Sequence, residues 1–152
     1  MGKFYEGQYD ELSLYVRQLA WLNTVPEKRE HSRLQALQAE GRDPDLPEAD
    51  LSYLAEYLLE IGPVLRGGAQ PTPVTHQEIQ SWQELTGIAL QPWEVRFIRR
   101  LSHEYLAQVQ TSVKPSAPPP WQPGATQERT REVVARKVQN AMRAFMQARG
   151  KQ

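Results

Sequence analysis

A chain of 152 residues with 39% apolar residues and 12 prolines has room for one packed domain plus segments that do not pack. The absence of cysteine excludes disulfide scaffolds, thiolate zinc sites and cysteine nucleophiles together. Eighteen basic residues balance eighteen acidic ones, yet from Ala125 onward seven basic residues stand against two acidic, a local charge of +5 that leaves −5 on the rest. That asymmetry suggests a tail that meets an acidic surface, such as the body of another copy.

The N-terminus lacks the apolar segment of a secretory signal, and no run of 18 apolar residues exists, so a soluble chain is expected. Tyr9, Leu12, Tyr15, Val16, Leu19 and Leu22 recur at helical intervals and predict a first helix, buried along one side, that stops before Pro26. Residues 27–40 are strong helix formers with few apolar anchors, and predict a surface helix opened by Pro26 and ended by Gly41. Pro47, Glu48 and Asp50 read as the opening of a third, central helix. Its apolar face holds Leu51, Leu54, Ala55, Leu58 and Ile61, and Gly62-Pro63 ends it.

Residues 62–74 form a connecting loop. Its paired glycines lack the Gly-Lys-Ser/Thr continuation and the preceding strand of a phosphate loop.

Residues 75–109 are the core motif. Thr75 and Glu78 have capping-box spacing, so a helix starts near His76. Ile79, Trp82 and Leu85 make its apolar face, and Gly87 ends it in the left-handed conformation. Pro92 restarts the chain at a first helical position. Trp93, Phe97, Ile98, Leu101, Tyr105 and Val109 then form an apolar stripe, with Arg96, Arg99, Arg100 and His103 on a separate polar one. No strand is expected anywhere.

Residues 112–124 carry five prolines and predict a semi-rigid polyproline spacer reaching about 40 Å. Trp121 within it is a candidate for docking on a neighbour; the alternative is a proline ligand for an aromatic groove. From Thr126 to Arg149 a helix of about six turns is expected. Val134, Val138, Ala141, Met142 and Phe145 form a narrow apolar stripe among cationic residues. On a spacer, that stripe is placed for self-association or a second protein; the alternatives are packing back on its own body, and contact with nucleic acid or membrane.

The domain reading is therefore a helical body over 1–111, a linker over 112–124 and a basic amphipathic helix over 125–152. The class is all-α, a small bundle of about five helices followed by a separate sixth. Thr75, Glu78, Trp82, Gly87, Pro92 and Trp93 read as fold-determining. Arg96, Arg99, Arg100, Trp121, Val134, Val138, Met142 and Phe145 are the candidate protein contacts.

Chemistry is not evident. His31, His76 and His103 lie in different predicted helices with no metal-ligand spacing, and His103-Glu104 lacks the second histidine of a His-Glu-x-x-His site. Glu56 and Glu60, one turn apart, look like a solvated face rather than an acid-base pair. No Gly-x-Ser-x-Gly motif occurs. Neither catalysis, a cofactor nor a metal is expected. A short helix, a glycine turn and a basic helix also match the outline of a DNA-reading helix-turn-helix. The net acidic body and the lack of base-reading Asn or Gln on that helix argue against nucleic acid.

The run from Pro73 through Thr75, Ile79, Trp82, Leu85-Thr-Gly, Leu90 and Pro92-Trp-Glu-Val to Leu101 and Tyr105 resembles a family of small proteins from tailed bacteriophages. They are described as tail assembly chaperones or tail assembly proteins, encoded close to the tape measure protein. The resemblance covers roughly residues 47–109. It implies a small helical, non-enzymatic protein working in the cytoplasm of the infected bacterium. Its partners would be the tape measure protein and/or the tail tube protein. The C-terminal helix lies outside the resemblance; its own residues lead to the expectation of homo-oligomerisation through it, and no membrane association is expected. Two alternatives stand beside it, a structural component of the tail or connector in the virion and a DNA-binding regulator.

Overall fold

A computed structural model describes residues 2–150; at 2–4, 125–135 and 137 it describes the backbone alone. The chain divides into two compact units, one up to Pro120 and one from Trp121 on. Both are mostly helical.

The first unit is organised by α1 (Gly2–Asn23), α3 (Ser52–Ile61) and α5 (Pro92–Ser112). Leu12, Val16, Leu54, Leu58, Ile98 and Leu101, all at most 1% exposed, form the centre of the core. Each stabilises the unit by about 1.5–3 kcal/mol through burial. Paired positions rise together along α1 and α5: Tyr5 meets Trp93, Tyr9 meets Phe97, and Asn23 bonds the Tyr105 hydroxyl. They rise together along α3 and α5 as well, with Tyr53 bonded to Glu94 and Pro63 to Ser102. All three helices thus point the same way, and each connection between them must travel back along the body.

The first return, residues 24–51, differs from expectation. Helix does not start at Glu27: Lys28 has φ 61, and α2 spans only Arg33–Ala39. Ser32 caps it with a reciprocal capping box to Gln35, at 3.1 and 2.9 Å. A local cap outweighs the propensity of residues 27–31, whose first N–H, that of Glu27, instead donates to Val113 O at 2.8 Å. Pro47 and Glu48 likewise do not open a helix; α3 begins at Ser52. The preceding loop is held to α1 by Gln18 Nε2, which donates to Asp45 O at 3.2 Å.

The second return contains a two-residue antiparallel ladder, β1 (Val64–Leu65) with β2 (Thr72–Pro73), in register Val64 with Pro73 and Leu65 with Thr72. This corrects the expectation of a plain loop without strands. Its anchor is Ser102, wholly buried on α5, whose hydroxyl accepts from Val74 N–H at 2.8 Å and donates to Pro63 O at 2.6 Å. One short side chain thereby closes both ends of the hairpin.

α4 (His76–Thr86) follows. Thr75 Oγ1 accepts from Glu78 N–H at 3.3 Å, without a return bond from the Glu78 side chain. Ile79 and Trp82 are buried, but Leu85 is 87% exposed. Gln83, rather than Leu85, completes the inward stripe, because its Oε1 accepts the Leu90 N–H at 2.8 Å. Gly87 takes φ 73 and donates to Gln83 O. Pro92 then opens α5, where Glu94 Oε1 accepts the Gln91 N–H at 2.8 Å.

In the second unit α6 (Ala125–Arg149) is a 25-residue helix entered through Gly124 at φ 86. Among the described residues, no helix is long and apolar enough to cross a membrane.

Candidate functional site

Two surfaces carry the candidate residues, one in each unit. The first is a groove of about 400 Å³ between the start of α1 and the first half of α5, lined by Tyr5, Glu6, Tyr9, Asp10, Trp93, Arg96, Phe97 and Arg100. Helical spacing builds it from both sides. Residues four apart lie one above the other on a helix, so Tyr5 with Tyr9 and Trp93 with Phe97 form two aromatic pairs that face each other. Tyr5 stacks on Trp93 at 5.0 Å, and Tyr9 meets Phe97 edge to face, also at 5.0 Å. Trp93 and Phe97 are themselves 5.3 Å apart. These arrangements suit the quadrupoles of the rings and make the floor rigid.

Charge surrounds that floor. The Arg100 guanidinium lies 3.8 Å from the centroid of the Tyr9 ring, and the Tyr9 hydroxyl donates to Glu104 at 2.8 Å. Burial, followed by the hydrogen bond to Glu104 and that carboxylate's charge, pushes the Tyr9 hydroxyl well above the usual phenol range. Tyr9 is thus a neutral donor at any physiological pH. Glu6 and Asp10 on α1 and Arg96 on α5 are exposed at the rim.

The predicted basic stripe is therefore unequal in its parts. Arg96 and Arg100 belong to the groove. Arg99 is half-buried, with an Nε that has no partner, and His103 is exposed outside the groove. Of the residues read as fold-determining, Trp93 doubles as groove floor. Trp82 instead packs on Tyr57 at 4.8 Å, its buried Nε1 unbonded.

The second surface is one side of α6. Val138, Met142, Phe145 and Met146 are 52%, 62%, 66% and 72% exposed. Ala141, Met142, Phe145, Met146 and Arg149 enclose a shallow depression there. Arg136 and Arg143 are also exposed. The Val134 side chain lies outside the described residues, and Trp121 is half-buried within the second unit.

Sequence reasoning missed Tyr5, Glu6, Tyr9 and Asp10 as groove residues, and the Trp21–Arg33 clamp altogether. Trp21 Nε1 donates to Ala117 O and Arg33 Nη2 to Lys114 O, each at 2.9 Å, while Arg33 sits 4.6 Å from the Trp21 ring. The first part of the proline-rich segment is consequently fastened to the body. Effective spacer begins after Ala117, not at Ser112. The i, i+4 aromatic pairs of α1 and α5 were a usable signal for the groove; nothing in the local sequence announced the clamp.

Neither a family model, a curated protein nor a solved structure matches this chain. Among the described residues no group of three His, Asp or Glu side chains could hold a metal ion. Glu56, Glu60 and all three histidines are exposed. What the two surfaces offer chemically is shape, aromatic and thioether contact, and charge, which are means of holding another polypeptide.

Proposed function

We propose that the chain is a non-enzymatic phage tail assembly protein, acting like a chaperone in the cytoplasm of the infected bacterium. It binds the tape measure protein and/or the tail tube protein through helical surfaces until the tail is built. One observation carries this reading: four large apolar side chains of α6, between 52% and 72% exposed, share one face of a helix with cations beside them. A soluble protein rarely leaves such a stripe unburied unless a partner covers it. A long amphipathic client helix supplies the matching surface, and helix-on-helix contact needs only anchors at the spacing of 138, 142, 145 and 146.

The resemblance over residues 47–109 supports the choice of partner. Co-expression with the tape measure protein of the same phage tests the reading. Truncation after Pro120 keeps the clamp on Lys114 and Ala117 and should abolish co-purification. Retention of the client by the truncated chain would sink it.

A further inference from the structure

We propose that the groove between α1 and α5 docks about two turns of an amphipathic helix from another protein, one with cations along one flank of its apolar stripe and carboxylates along the other. The proposal concerns the first unit alone and stands whether or not α6 holds a client. Tyr5 and Trp93 are half-buried, so part of the ring surface at the floor of this space of about 400 Å³ stays open to an occupant. Two aligned helices with a cleft between them form a bed for a third, which reaches such a floor with apolar anchors one turn apart.

The charges on the two walls describe that partner. Glu6 and Asp10 stand one turn apart on α1, and Arg96 and Arg100 one turn apart on α5; all four are exposed. Each wall therefore holds one sign, although the lining as a whole is balanced. Among the described residues no ion pair joins the two walls, and Arg100 keeps its guanidinium at the groove by resting on the Tyr9 ring. Like charges four positions apart weaken a helix, yet α1 and α5 each carry such a pair at the groove. A partner of a single sign, nucleic acid included, gains at one wall what it loses at the other. A helix with Lys or Arg toward α1 and Glu or Asp toward α5 gains at both, and the matched charges fix its register.

Fluorescence anisotropy with full-length protein and three labelled helical peptides of about 18 residues tests this. All three share a stripe of Leu and Phe; one has Lys on one flank and Glu on the other, one has Lys on both, and one has Glu on both. Wild type is expected to bind the mixed peptide about tenfold more tightly than either of the others in low salt, and the margin to shrink in high salt. Glu6→Lys with Asp10→Lys should make the Glu peptide the tightest, and Arg96→Glu should move the preference toward the Lys peptide. These positions are exposed, and circular dichroism of each variant should match wild type. Three results overturn the proposal: no binding to any peptide, equal binding to all three, or a ranking that the groove variants leave unmoved. Phe145→Asp on α6 should keep the wild-type ranking; loss of binding in that variant would place the probe on α6, which overturns this inference and leaves the functional reading standing.

Discussion

Tyr53 and Glu94 are 41 positions apart in sequence and joined by a 2.8 Å hydrogen bond from the tyrosine hydroxyl to Oε2. The other oxygen of the same carboxylate accepts the Gln91 N–H. Glu94 thus closes the start of α5 and ties it to α3 with one side chain that is 9% exposed. Glu94→Ala should cost about 2–3 kcal/mol, because two donors lose their acceptor in a place water reaches poorly. Urea unfolding monitored by circular dichroism measures it. Tyr53→Phe, which leaves one carboxylate oxygen engaged, should cost about 1 kcal/mol.

Ser102 makes a sharper case, since its hydroxyl serves both ends of the hairpin. Replacement by alanine removes one oxygen and strands the Val74 N–H and the Pro63 carbonyl. A loss of about 2–3 kcal/mol is expected, with amide exchange at Val74 accelerated more than in the centre of α5.

Alkaline behaviour follows from the buried phenols. Burial, and for Tyr9 and Tyr53 a hydrogen bond to a carboxylate, raise the Tyr9, Tyr53 and Tyr105 hydroxyls above the ordinary value of 10.0. Above pH 10 the unfolded chain releases protons that the folded chain keeps, so stability is full below pH 10 and falls as pH rises further. Phenolate absorbance should therefore show these tyrosines titrating together with loss of helix. Tyr9→Phe combined with Tyr53→Phe should flatten the fall; an unchanged slope would contradict the assignment.

The turn between α4 and α5 separates packing from pattern. Leu85→Gln should change stability by less than about 0.5 kcal/mol, since the side chain is 87% exposed. Trp82→Ala, which empties a buried site against Tyr57, should cost about 3–5 kcal/mol. Gly87→Ala at φ 73 should cost about 1 kcal/mol through backbone strain alone. Thermal unfolding of the three variants ranks them.

Those same residues show what sequence could tell. Thr75, Gly87 and Pro92 act on neighbours within a turn, so the bounds of α4 and the start of α5 were readable from them. Leu85 was misplaced because apolar spacing identifies a stripe, but a glutamine that satisfies the Leu90 N–H can displace a leucine from it. Residues 27–31 and 47–50 were misread for a similar reason: propensity and charge favoured helix, while Ser32 and the Gln18–Asp45 bond supplied stronger local solutions. The groove depends on the parallel alignment of α1 with α5, which joins positions such as Tyr9 and Glu104, 95 residues apart. No local pattern encodes that alignment.

Trp21 and Arg33 hold the strap at positions 114 and 117 by main-chain oxygens alone. Such a grip is blind to side-chain identity. A saturation library at Lys114 and Ala117 should therefore be broadly tolerated, while Trp21 and Arg33 tolerate little. The strap is free to drift in sequence as long as its backbone keeps the same path, and the point from which the C-terminal arm departs stays fixed while the text written along it changes.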